Sequence, residues 1–401
     1  MPQLKRELGL FNVTVAGVGI ILGAGIYALI GLAASYSGNA TWLAFLFSAL
    51  IALFTGLSYA ELSSMFKGDA GEYDYIKASF NKPLAMFISF AIIFAGVFSA
   101  ATVALGFAGY LTQLINISLF SGALLLIGLM TLINFAGIKQ ASWFNTISTF
   151  IEFFGLIVII LIGVKYFGNV NYFTMPYGLT GIFKSTALVF FAYMGFESVI
   201  KLREETKNPE RVIPLGLMYS IGITAVVYVL VAISAVSIIG WDALSNSTAP
   251  LADVAAAVLG SPAFMALGII ALFSTANTVL ITMVTTSRLI YGMARKKALP
   301  STFATVHKRT HTPSTAVIVV AIVTAFLAYI GDLELVANIT NLLLFLTFAV
   351  VNASLLILRY KLPKLKRPFR APLNIGQFSV FALIGLLSSV FMFGFVLFNF
   401  L

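Results

Sequence analysis

The chain of 401 residues is 60% hydrophobic and only 9% charged, with a formal net charge of +10. A water-soluble domain of this size cannot bury so much apolar surface, and the Lys and Arg residues sit in short breaks between apolar runs, not on one polar face, so lipid is the implied partner and nucleic acid is not. The absence of Cys excludes disulfides, thiolate nucleophiles and Cys-ligated metals.

A helix needs about 20 apolar residues to cross a hydrocarbon core of about 30 Å. In chain order such runs lie near 10–34, 42–66, 83–111, 117–136, 143–163, 181–200, 212–240, 262–288, 313–330, 335–358 and 378–401. The first follows a short stretch of mixed charge and has no small-residue cleavage site, so it reads as a span and not as a removable signal. The expected fold class is therefore an all-α polytopic membrane protein of about eleven transmembrane helices. Basic residues collect in cytoplasmic loops. With the N-terminus inside, every Lys and Arg except Lys165 and Lys184 falls on the cytoplasmic side, and the C-terminus falls outside. The expected location is the cell membrane, crossed many times. Residues 241–261 read as a loop with a short external helix, and the basic stretch 359–370 as a topology and lipid-headgroup anchor.

Two spans look interrupted. Gly17, Gly19, Gly23 and Gly25 cluster in the first. Glycine destabilises a helix by about 1 kcal/mol relative to alanine, so the cluster marks either close packing or an unwound stretch. The sixth contains Phe190, Phe191, Ala192, Tyr193, Met194, Gly195, Phe196 and Glu197, a glycine beside a carboxylate. A charge at that depth costs several kcal/mol and by default marks a polar cavity or pathway. The two interruptions lie five helices apart in spans of opposite direction. That is the relation of an inverted repeat, residues 10–163 matched by 181–358 with an extra helix at 378–401, and it sets a binding site at mid-membrane between the breaks. Bare N–H groups of Gly23, Ala24, Gly25 and Ile26 at a helix N-terminus suit a carboxylate. Freed carbonyls of Ile21, Leu22, Val189, Phe190 and Ala192 suit an ammonium group. Together they fit the zwitterionic head of an amino acid.

Four stretches carry a resemblance to a known family: Gly19 to Tyr27; Leu57 to Leu62 with Ala70 to Tyr75; Phe190 to Glu197 followed by Glu204, Glu205, Lys207, Asn208, Pro209, Arg211 and Pro214; and Ser287 to Arg295. In these the chain resembles the amino acid, polyamine and organocation transporter superfamily, closest to its cationic amino acid transporter branch. The resemblance implies a single membrane transport domain over 1–401 with the five-plus-five fold of the leucine transporter, helices one and six discontinuous, and substrate moved by alternating access. It implies proton symport, uniport or exchange, and an amino acid or another organic cation such as a polyamine as substrate. Members commonly have twelve spans, and eleven are expected in this sequence. Site residues implied are Ile21, Gly23, Ala24, Gly25, Ile26, Phe190, Tyr193, Gly195, Phe196 and Glu197, with Phe196 and Tyr193 placed as rings that close over substrate.

Glu152 stands where many relatives carry a lysine thought to replace a sodium ion, about 14 Å along the helix axis from Trp143. Three readings stay open for it: a proton switch, a ligand of a bound cation, and a neutral acid hydrogen-bonded to helix one or eight. Ser274, Thr275 and Asn277 in helix eight offer polar groups for ion binding or for packing. Glu197 reads either as an N-cap paired with Lys201 or as a contact for the substrate's cationic group. Glu61 is expected to pair with a nearby basic residue. No cofactor or metal is expected, since His307 and His311 lie in a basic loop without a further ligand. No pattern selects an oligomeric state, and a channel or an intramembrane enzyme is the rival class.

Overall fold

A backbone with no water to bond must satisfy its own N–H and C=O groups, and the apolar runs do so as helices. The computed structural model describes residues 8–66, 71–295, 297–307, 310 and 312–400, with the side chains of 138, 139, 201 and 203–205 outside that description. Lys5, Arg6, Lys67, Lys308, Arg309 and His311, and the Lys201 side chain expected beside Glu197, thus lie outside what is described.

The first span is two helices, α1 (Leu10–Ile21) and α2 (Ala24–Ser37). A short 3₁₀ bend at Gly38–Ala40 leads into α3 (Thr41–Met65), and a small helix not foreseen in the sequence, α4 (Gly71–Ser79), follows. Next come α5 (Lys82–Leu114), α6 (Leu119–Ala136) and α7 (Ile138–Gly163). The sixth span starts as α8 (Gly178–Val189) and continues as 3₁₀ turns over Phe190–Tyr193 and Phe196–Glu205. The remainder is α9 (Pro209–Ser245), α10 (Pro250–Leu259), α11 (Ser261–Arg295), α12 (Ser314–Ile330), α13 (Leu333–Lys361) and α14 (Val380–Phe400), with a two-stranded hairpin of β1 (Asn374–Ile375) and β2 (Phe378–Ser379) before the last helix. Side-chain caps mark several starts: Asn81 accepts from the Leu84 N–H at 2.9 Å and Asp332 from the Leu335 N–H at 2.9 Å.

Nine segments among the described residues are long and apolar enough to cross a membrane, one of them, Ala24–Met65, running through the bend between α2 and α3. Leu10–Ile21, Pro250–Leu259 and Ser314–Ile330 are shorter apolar helices. The chain is a polytopic helical membrane protein. The expected external helix forms as α10, but it is tucked in, with Pro250, Leu251, Ala252, Val254 and Ala255 buried.

α1 packs on α9 and α2 on α8, so the first and sixth spans lie within one bundle interior, walled by α3, α5, α7, α11 and α13. Leu8 pairs with Thr206, which sets the start of α1 and the end of the sixth span on one face of the bundle. That face is the basic one. There Glu61, fully buried near the end of α3, accepts from Arg359 Nε at 2.9 Å, from Arg359 Nη2 and from the Ala371 N–H at 2.7 Å, with Arg367 Nε at 3.5 Å. Arg359 also donates to Asn374 in the hairpin. The expected partner of Glu61 is therefore Arg359. The reading of 359–370 as a headgroup anchor needs correcting in part. Arg359 is buried and ion-paired, and Arg367 turns back onto the Leu358 and Leu362 carbonyls at 2.9 and 3.0 Å, because one buried carboxylate draws them inward.

Candidate functional site

At the first break Leu22 (ψ 128°) and Gly23 (φ −172°, ψ −168°) leave helical geometry between α1 and α2. At the second, α8 tightens into a 3₁₀ turn and then opens at Met194 (ψ 141°) and Gly195 (φ +110°). Gly195 occupies backbone space that favours glycine, and a Cβ there would stand 2.9 Å from the Ile20 carbonyl oxygen. A Cβ on Gly25 would fall 2.4 Å from the Ala192 Cα, so the two breaks touch backbone to backbone. The residues expected at the site, Ile21, Gly23, Ala24, Gly25, Ile26, Phe190, Tyr193, Gly195 and Phe196, lie at or beside these two breaks.

Tyr228 of α9 joins the breaks. Its buried hydroxyl lies 3.1 Å from the Ile21 carbonyl and 3.2 Å from that of Ala192, and its single proton is shared between them. A phenol buried in an apolar span is stabilised by an acceptor, and the unwound turns supply two. Carbonyls expected to await an ammonium group are therefore already engaged at two of the five positions. The Ala24 N–H is engaged likewise, donating to Thr278 Oγ1 of α11 at 3.1 Å. Asn341 of α13 caps the end of α8, its Nδ2 donating to the Ala187 and Leu188 carbonyls at 2.8 and 3.1 Å.

A tyrosine relay supports the first break from behind. The Leu251 N–H of α10 donates to the Tyr110 hydroxyl at 3.4 Å, Tyr110 donates to the Tyr27 carbonyl at 3.0 Å, and Tyr27 donates to the main-chain carbonyl of Glu152 at 3.0 Å.

Glu152 itself is fully buried in α7, and neither of its carboxyl oxygens makes a hydrogen bond. Tyr27, Tyr228 and Ser274 are polar side chains within electrostatic reach. The Ser274 hydroxyl is near enough to interact with the carboxyl group, yet it too makes no hydrogen bond of normal geometry. All three readings of Glu152 stay open: Ser274 of α11 stands beside its carboxyl group, and the tie to the first span runs through its backbone carbonyl. Thr275 is spent on its own helix, donating to the Ala271 carbonyl at 2.7 Å, whereas Asn277 keeps an unpartnered Oδ1.

Aromatic rings line the second break. Phe190 stands 4.5 Å from Phe345 between ring centroids, Phe196 5.3 Å from Phe348 and 5.9 Å from Tyr59, and Tyr193 5.3 Å from Tyr228. The Tyr59 hydroxyl reaches Glu72 at 3.2 Å. Glu197 accepts from the Gly195 N–H at 3.0 Å, two residues before it in the chain, where an N-cap would accept from a residue after it. A cavity of about 410 Å³ opens on the basic face against Glu210, Arg211, Leu215, Pro368 and Phe369. Another of about 240 Å³ lies towards the opposite face, among Ala28, Leu105, Tyr110 and Thr248. Neither lining includes a residue of the breaks.

Tyr27, Tyr110, Tyr228, Thr278 and Asn341 carry much of this geometry and were not foreseen. Their signal was present as phenols and amides in mid-span, each of which needs a partner in a dry interior.

These features define a polytopic membrane protein with a polar, unwound centre inside an apolar bundle. The chain belongs to the amino acid permease family, part of the amino acid, polyamine and organocation superfamily; the family model matches residues 8–400. It is a family of transporters, not of enzymes. Relatives include a branched-chain amino acid permease, BcaP, of Bacillus subtilis (strain 168), 27% identical over 92% of this chain and 84% of the relative. A methylthioribose transporter of the same organism is 28% identical over 92% of this chain and 85% of its own length. Cationic amino acid transporter 3, mitochondrial, of Arabidopsis thaliana is 29% identical over 93% of this chain, which spans 65% of that relative.

Proposed function

We propose that this chain is a secondary transporter that carries amino acids across a cell membrane by alternating access, with substrate held where the first and sixth spans are unwound. The observation that carries this reading is the meeting of the two breaks in backbone contact under one tyrosine hydroxyl. Unwound backbone is tolerated at membrane depth only where protein or a substrate route satisfies it. We read the bundle as eleven crossings, α1 with α2 as the first and α8 with its 3₁₀ turns as the sixth, in a five-plus-five inverted repeat plus α14. The basic face is then cytoplasmic, as the distribution of Lys and Arg favours.

In this arrangement the broken spans move together between α3, α7, α11 and α13, opening the centre first to one face and then to the other. The closed contact of Gly25 on Ala192 fits a state sealed from both sides. Carboxylate binding at Gly23 to Ile26 requires Thr278 to give up the Ala24 N–H or to share it. Glu152, buried and unpartnered beside the first break, is the candidate coupling group, carrying a proton or meeting a cation.

Reconstitution in liposomes with a panel of labelled amino acids, with and without a pH gradient, tests the proposal. Uptake that saturates and is stimulated by amino acid on the far side is expected. Flux that rises linearly with concentration and ignores the far side would make the protein a channel.

A further inference from the structure

Asn338 is a buried group that none of the preceding contacts uses. It lies fully buried on α13, and both Nδ2 and Oδ1 lack a hydrogen-bond partner. Among the described residues only Glu152 shares the property of two buried, unpartnered side-chain atoms. A side-chain amide that glued two helices together would spend at least one of these atoms on a neighbour, as Asn341 and Asn352 do.

Neighbouring contacts give the direction of its side chain's helix face. Residues three, four and seven apart lie along one side of a helix. Four residues earlier, Glu334 accepts from Tyr36 at the end of α2, closing the bundle at the face opposite the basic one. Three residues later, Asn341 caps α8 at the second break, and seven later Phe345 meets Phe190. Asn338 therefore sits on the face of α13 turned to the second break, one turn outward of it and inside the Tyr36–Glu334 contact. Thr186 and Tyr193, on the broken span that this face packs against, also carry buried hydroxyls without partners.

We propose that Asn338 is a specificity-determining residue that reads the far end of the substrate's side chain while the zwitterionic head is held at the breaks. This rests on the reading of the breaks as the substrate site. An uncharged amide offers one donor group and one acceptor. It suits a side chain that both donates and accepts, a hydroxyl or a carboxamide. An ammonium group only donates, and an aliphatic side chain does neither. The substrate class selected is thus the neutral polar amino acids.

The test uses the full chain in liposomes and compares kcat/KM for labelled glutamine and threonine with that for leucine in the wild type, Asn338→Leu and Asn338→Thr. The wild type should prefer the polar pair, and Asn338→Leu should lower the polar-to-leucine ratio about 10-fold to 100-fold while leucine uptake is retained. Asn338→Thr should keep part of the preference for threonine and lose most of that for glutamine; it carries the test alone if the leucine variant fails to fold. An unchanged ratio in a folded variant, or an equal fall for all three substrates in both variants, overturns the inference and leaves the carrier reading standing. A wild type with no saturable uptake of any amino acid overturns the carrier reading and the inference with it.

Discussion

Replacing Arg359 with Met keeps the length of an apolar stem and removes the guanidinium that reaches Glu61 from the end of α13. The Glu61 carboxylate would lose two of its donors, Nε and Nη2, and keep the Ala371 N–H at 2.7 Å and Arg367 at 3.5 Å. Removing one member of a buried ion pair costs about 3–5 kcal/mol, because the other charge stays behind. Two remaining partners place this variant at the lower end, about 3 kcal/mol. Arg367 Nε stands 3.5 Å from the carboxylate without a hydrogen bond, so Arg367 does not take over the role in full. The variant Glu61→Met, Arg359→Met leaves no stranded charge and should recover much of the loss, with a coupling energy of about 2 kcal/mol or more. Denaturant unfolding of the detergent-solubilised protein reads all four members of the cycle. Limited trypsin digestion gives a second readout: in Arg359→Met, cleavage after Lys364 and Lys366 should speed up as the loop loses its tether. If Arg359→Met unfolds within about 0.5 kcal/mol of the wild type, or the double variant is simply additive, the carboxylate does not hold the loop.

Glu152→Gln should abolish the dependence of uptake on external pH; in the wild type, if a proton travels with the substrate, uptake rises as the outside is acidified. A pH profile unchanged by the substitution removes the proton-switch reading. Tyr228→Phe deletes the proton shared by the Ile21 and Ala192 carbonyls and should destabilise the protein by about 1–3 kcal/mol, read by thermal unfolding, while lowering the rate of exchange. Gly25→Val should be the most severe of the set, since even a Cβ would fall 2.4 Å from the Ala192 Cα. Overpacking of this kind costs about 1–3 kcal/mol or more, and measured uptake should vanish even where the variant reaches the membrane.

The helices were legible because hydrocarbon leaves the backbone few options and the composition spells out each crossing. The expected apolar runs and the observed helices agree to within a few residues at most ends. The break in the first span could be read from its glycines, and that in the sixth from Gly195 beside Glu197. What the sequence did not disclose was the partner of each polar group. Glu61 could be expected to find a cation, but Arg359 is 298 positions away in the chain and only the packing of α3 against α13 selects it. Thr275 looked as suitable as Ser274, yet helical phase turns its hydroxyl onto its own helix and leaves that of Ser274 beside Glu152. Tyr228 carried only the general sign of a phenol in mid-span, and nothing local pointed to the two carbonyls it joins.

A phenol has one hydrogen to give, and Tyr228 holds it between two oxygens that belong to different broken helices. A slide of one half-helix past the other that lengthened one of these contacts would leave the hydroxyl donating to the other carbonyl alone. In the proposed cycle the fork would act as a toggle with two end positions, and the geometry observed, with both contacts made, would be its midpoint. A rocking cycle built on this hinge would have its two destinations distinguished by which carbonyl keeps the hydrogen, a difference that isotope-edited infrared bands of the two carbonyls would resolve.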